Sequence, residues 1–177
     1  MNTAISQHTR IQHLYLRAGF GLKASVVEEE RKKSIKAVVK KLLKESADYQ
    51  PIQVVEENLV SIKGLKQLDR EAFKELMKES REGIKELNLL WLNRMANGPD
   101  ALRQKMALFW HGHFACKSRN AYFTQHYLNT LQQHALGKFG DLLLRMAQCP
   151  AMLQFLNNQQ KSMLSLHNKM TIVSYPY

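Results

Sequence analysis

The sequence predicts an all-α protein, an irregular multi-helix bundle of at least five helices. Apolar residues recur at helical spacing along most of the chain, capping residues precede those runs, and Gly or Pro ends them. No Asn-Gly turn lies between alternating runs, so nothing signals a hairpin.

The elements follow in order. Ile11, Leu14 and Tyr15 begin a short amphipathic helix that must stop at Gly19-Phe20-Gly21, where two glycines permit a left-handed turn. Ser25-Val26-Val27-Glu28 reads as a capping box that opens a second helix. Ser34 caps a third. There Ile35, Val38, Val39, Leu42 and Leu43 share one face, and Lys33, Lys36, Lys40, Lys41 and Lys44 lie away from it. Residues 46–66 predict a connecting loop with a short helix, because Tyr49-Gln50-Pro51 breaks the pattern. Asp69 caps a long helix to about Ala96, with an apolar stripe of Phe73, Leu76, Met77, Ile84, Leu87, Trp91 and Met95. Asn97-Gly98-Pro99 ends it, and so short a link makes the next helix an antiparallel neighbour. Asp100 opens that helix, whose Leu102, Met106, Phe109 and His113 mark its inward side. Ala121 to Leu136 forms another, stopped by Gly137; Asp141 caps a short helix to Cys149, and Pro150 starts a last one through Leu156. The expected core gathers Trp91, Met106, Phe109, Trp110, Leu142, Leu143 and Leu153.

The 177 residues suit one domain with a sizeable core. Lys and Arg number 26 against 15 Asp and Glu, a formal net charge of +11 that favours an acidic partner. Thirteen of those 15 acids precede residue 100, leaving Asp100 and Asp141. So carboxylate-poor a half cannot readily supply the paired acids of glycosidase-type chemistry. Cys116 and Cys149 lack Cys-x-x-Cys spacing and read as small buried thiols. Residues 1–20 lack the apolar core of a signal peptide, and no apolar run is long enough to span a membrane. The expected location is therefore cytoplasmic, with export of longer relatives left open.

Three segments together resemble a bacterial family known as domain of unknown function 1800. The first is His13-Leu14-Tyr15-Leu16-Arg17-Ala18-Gly19-Phe20-Gly21, similar to the family's opening His-Leu-Leu-x-Arg-Ala-Gly-Phe-Gly. The most specific is Lys105-Met106-Ala107-Leu108-Phe109-Trp110-His111-Gly112-His113-Phe114. The third runs from His134 to Phe139, through Asp141-Leu142-Leu143, to Pro150-Ala151-Met152-Leu153 and Leu156-Asn157-Asn158. Gln104 stands where the family usually has Glu. Members are longer and continue into a Pro-Asn-Glu-Asn-x-Ala-Arg-Glu motif, which Lys161 to Tyr177 does not resemble. The resemblance implies that residues 1–158 are the N-terminal helical part of a larger protein. Residues 161–177 then form a non-matching tail left by truncation or a shifted frame. Apolar surface uncovered in this way invites self-association.

His111 and His113 are the catalytic candidates, and Trp110, Arg17 and Lys105 the binding candidates. Residues two apart on a helix differ in direction by about 200°, so the two imidazoles point apart and a shared metal is not expected. The pattern places His113 in the core and His111 on the opposite side. No acid is fixed beside either ring, no complete catalytic constellation is present, and no motif implies a cofactor. The basic run from Arg31 to Lys44 reads as a solvated helix face, with polyanion binding as the weaker alternative. Two function classes follow. One is assembly or ligand binding within a larger protein; the other is part of an enzyme whose site needs the missing motif.

Overall fold

The computed structural model describes residues 6–22, 24–56 and 69–156. Eight helices account for most of them: α1 (Gln7–Ala18), α2 (Ala24–Glu30), α3 (Ile35–Glu45), α4 (Arg70–Asn97), α5 (Ala101–His113), α6 (Ala121–His134), α7 (Phe139–Gln148) and α8 (Pro150–Phe155). No strand occurs among the described residues, as the all-α prediction requires. Asn157 and Asn158, the tail at 161–177 and any short helix within 57–66 lie outside the described residues.

Side chains start the helices where the sequence indicates. Ser34 accepts from the Ala37 amide at 3.2 Å and Asp69 from the Ala72 amide at 2.7 Å, each satisfying an otherwise unpaired first-turn donor. Ser6 and Asn120 cap α1 and α6 in the same way. Three expected starts are corrected. The second helix already begins at Ala24, ahead of Ser25. The seventh begins at Phe139, so Asp141 sits within its first turn, where the helix dipole favours an acid. Asp100 precedes α5 but makes no cap bond, because its carboxylate accepts from the Gln104 amide at 2.7 Å instead. The turn after α1 uses its glycines differently. Gly21 alone has a positive φ, at 95°, while a Cβ on Gly19 would meet the Ala101 Cβ at 3.1 Å, so Gly19 permits close packing on α5.

α6 is the central helix and packs on α4, α5, α7 and α8. Around it Leu87 and Trp91 of α4, Ala107 of α5, Tyr127, Leu128 and Leu131 of α6, and Leu142 and Met146 of α7 form the main core. Ile11, Tyr15, Val38 and Leu42 form a second cluster between α1 and α3. Residues 46–56 are a loop without a helix, bound to α6 by amide side chains: Asn129 pairs both peptide groups of Ile52, and Gln125 holds Val54 and Val55.

The inward face of α5 departs from expectation. Arg103, Gln104 and Ala107 are the buried residues, so this face is largely polar. Phe109 is consequently 59% exposed, and Leu143, beside the buried Leu142, is 47% exposed; neither belongs to the core. Trp91 and Leu142 are buried as expected, with Met106, Trp110 and Leu153 half-buried. Phe73 of the α4 stripe is also exposed. The buried Arg103 is well supplied with partners. It donates to the carbonyls of Ser46, Ala47, Gln132 and Gln133 at 2.7–3.0 Å. These lie at the C-terminal ends of α3 and α6, where carbonyls lack helical partners and the dipole favours a cation.

Candidate functional site

His111 continues the inward row of α5, one turn beyond Ala107. It is half-buried between Trp91 of α4 and Tyr127 of α6, at ring-centroid separations of 5.4 and 5.6 Å. The Tyr127 hydroxyl donates to the Phe114 carbonyl at 3.0 Å, which fixes that ring. Burial pushes the His111 imidazole below its ordinary pKa, so it is neutral at neutral pH, with one ring nitrogen able to donate and the other to accept. Neither nitrogen has a hydrogen-bond partner among the described residues.

The imidazole lines a recess of about 170 Å³. Ile84 and Asn88 of α4, Thr124, Tyr127 and Leu128 of α6, and Ala151 of α8 form its walls, and Cys116, Lys117 and Ser118 come from the loop after α5. Ser118 is held by the Asn120 amide at 3.1 Å and by Gln154 at 3.3 Å, and Thr124 donates to the Asn120 carbonyl at 2.9 Å. Burial, with Cys149 nearby, pushes the Cys116 thiol up to about 11, and burial also raises Cys149. Both are protonated at neutral pH and are poor nucleophiles. No carboxylate lines the recess among the described residues. It is therefore equipped to exchange hydrogen bonds, and the exposed Lys117 is its one cationic group among the described residues.

The other side of the same segment is an aromatic patch. Trp110 stacks on Phe139 at 5.5 Å and meets Phe109 edge-on at 4.9 Å, and its indole donates to the Ala135 carbonyl at 3.2 Å. His113 lies in this patch, exposed, against Trp110, Phe114 and Phe139. The expected placement of the two histidines is thus reversed: His111 is the inner one. The helix does direct them to different neighbours.

Residues 13–163 match the model of the family described as protein of unknown function, DUF1800. The chain belongs to that family. No curated protein and no solved structure matches it.

The Phe109 to Phe114 segment that carries the DUF1800 resemblance therefore builds two surfaces, the recess through His111 and the patch through Trp110 and His113. The remaining candidates lie apart from the recess lining. Lys105 places its ammonium over the Phe20 ring at 5.0 Å, and Arg17 is exposed in the last turn of α1. In the basic run, Lys33 and Lys41 are engaged by Glu30 at 2.9 and 2.7 Å, which leaves fewer free cations than the sequence suggests. Among the described residues no group of three or more His, Cys, Asp or Glu could hold a metal ion, and no helix is long and apolar enough to cross a membrane. Sequence reasoning missed Asn88, Thr124 and Tyr127 as recess residues. Each lies in an ordinary helical run, and the packing of α4 on α6 brings them together.

Proposed function

We propose that this chain is a binding module that holds a small polar organic ligand in the His111 recess. The observation that carries the reading is a half-buried, neutral imidazole that lines a cavity, its ring nitrogens without a partner among the described residues. A half-buried polar group left without a partner loses free energy, and a ligand hydroxyl or amide would restore it. Lys117 at the rim favours an anionic end on that ligand, while Ile84, Leu128 and Ala151 offer apolar contact to its body. A recess of about 170 Å³ suits a molecule of about six non-hydrogen atoms, taking about 30 Å³ for each water-sized unit. Small hydroxy acids have this chemistry. The module would serve as the N-terminal helical part of a larger bacterial protein, as the resemblance of its opening segment implies.

Titrating short hydroxy acids such as 3-hydroxybutyrate, with the histidine ring signals followed by NMR, tests the reading. It expects saturable shifts at His111 that His111→Phe removes without unfolding the chain. Absence of any His111 shift up to about 10 mM, a Kd limit worth only about 3 kcal/mol, would reject it. A second reading is favoured by the neutral imidazole itself, whose ring nitrogens have no partner among the described residues and so leave a lone pair free to accept a proton. The chain would then be part of an active site that draws its carboxylate or nucleophile from outside the described residues. Loss of turnover with unchanged ligand affinity in His111→Gln would separate that reading from simple binding.

A further inference from the structure

A second concave surface, which shares no lining residue with the recess, lies between residues 51–53 and the last turns of α4. It is a groove of about 390 Å³ whose walls include Pro51 and Gln53 on one side and Leu90, Asn93, Arg94 and Asn97 on the other. Arg94 is its one cation, and no carboxylate lines it among the described residues. The guanidinium is already oriented. Its Nη1 donates to the Gln50 carbonyl at 2.6 Å and to Gln132 Oε1 at 3.1 Å. The N–H groups on Nη2 and Nε have no partner among the described residues, and a guanidinium is shaped to give two parallel hydrogen bonds to a carboxylate.

The opposite wall adds a backbone edge. Asn129 takes both peptide groups of Ile52, each at 2.9 Å, and Gln125 takes the Val54 amide at 2.7 Å. Gln125 also takes the Val55 amide at 3.0 Å and donates to the Val55 carbonyl at 2.9 Å, so this loop, which bends at Val54 and Val55, is tied to α6 by amide side chains. Between Ile52 and Val54, the N–H and C=O of Gln53 have no partner among the described residues. Helix side chains thus occupy the peptide groups of Ile52 and Val55 and the amide of Val54, and those of Gln53 are left to pair with the backbone of a ligand.

We infer that this groove binds an extended, acidic peptide segment of a protein partner, pairing its backbone with Gln53 and its carboxylate with Arg94. Backbone pairing at Gln53 supplies main-chain hydrogen bonds, and the fixed guanidinium selects for acid. Leu90 and Pro51 provide apolar contact for alternate side chains. A nucleic acid fits less well, because backbone phosphates are held by several cations and this groove presents one. The net charge of +11 would steer such a partner to the chain.

Fluorescence anisotropy on the full chain tests the inference, using a labelled Val-Asp alternating peptide of about eight residues and its Val-Lys counterpart. The Val-Asp peptide is expected to bind at least about tenfold more tightly. Leu90→Glu, an exposed position, and Gln53→Pro, which removes the edge N–H and leaves Arg94 in place, should each weaken it about tenfold with melting unchanged. Arg94→Lys should weaken it as well. Equal affinity for the two peptides would overturn the inference, as would no Val-Asp binding at about 1 mM. Full retention of affinity in folded Leu90→Glu and Gln53→Pro would also overturn it. So would complete displacement by an oligothymidylate at about 150 mM salt, which would mark a polyanion site.

Discussion

The Trp91 indole donates to Gln104 Oε1 at 2.8 Å in the buried interface between α4 and α5. The same Gln104 amide donates to Asp100 at 2.7 Å and to Gln132 at 3.1 Å, so one fully buried side chain joins α4, α5 and α6. Gln104→Leu keeps the approximate volume but leaves the Trp91 donor unpaired in the core. It should cost about 1–3 kcal/mol, with a changed near-ultraviolet dichroism of the tryptophan. A loss below about 0.5 kcal/mol by urea denaturation would mean that the network contributes little.

Gln104→Glu has a different expected signature. The acceptor for Trp91 remains, but the donor facing Asp100 becomes a second acceptor, and two carboxylates that close favour one bound proton. The folded-state pKa of the new group would rise, so its stabilisation is present in acid and lost as pH climbs through that value. The melting-temperature deficit against the parent chain should be largest near neutrality and shrink toward about pH 4. A deficit independent of pH would contradict this account.

The helices were legible from spacing and caps, because Ser34, Asp69 and Asn97-Gly98-Pro99 act locally. The orientation of α5 was not. Ranking apolar residues as inward selects Met106, Phe109 and His113, whereas the buried row is Arg103, Gln104 and Ala107 and continues to His111. Such a row is stable only because the carbonyls of 46–47 and 132–133 and the Trp91, Asp100 and Gln132 side chains satisfy it. Those partners are 13 to 57 residues away, apart from Asp100. The His111 recess was half legible: the motif marked its histidine, and tertiary packing supplied Asn88, Thr124 and Tyr127.

Phe109 now carries a different expectation from a core aromatic. Packed inside, its truncation to alanine would cost about 3–5 kcal/mol; at 59% exposure, Phe109→Ala should cost about 1 kcal/mol or less. It shares the patch with the exposed Phe139, and contiguous apolar surface promotes association. Phe109→Ser with Phe139→Ser should lower self-association in light scattering while denaturant midpoints move little. A large midpoint shift would show that the patch is packed in solution.

Glu30 ties the α2 end to α3 through Lys41 and to the link between them through Lys33. Burial alone would raise its pKa, but hydrogen bonds and charge from Lys41 and Lys33 outweigh that and hold the carboxyl below its ordinary value. Its stabilisation is therefore present above the ordinary carboxyl pKa and lost as pH falls through the lower folded value. Glu30→Gln should cost about 1–3 kcal/mol at neutral pH, and the difference from the parent should shrink as pH falls below about 4. A constant difference down to pH 3 would assign the effect to packing rather than charge.

His111 gives the pH test of the recess itself. Burial lowers its pKa in the folded chain, so on acidification the unfolded state binds the proton first. Stability should be unaffected by this group above about pH 6.5 and decline as pH falls below it, until the folded imidazole also protonates. His134, also lowered by burial with Arg145 opposing its charge, adds to the same slope, so the comparison needs a variant at each position. His111→Gln should remove part of the decline between about pH 6.5 and 5, and His134→Gln another part, with melting near pH 8 little changed in both. A ligand whose donor bonds the neutral ring would lower the His111 pKa further and deepen the dependence in the parent chain alone. If His111→Gln leaves the acid limb unchanged while His134→Gln abolishes it, the His111 ring is solvated and the recess is not the desolvated site described.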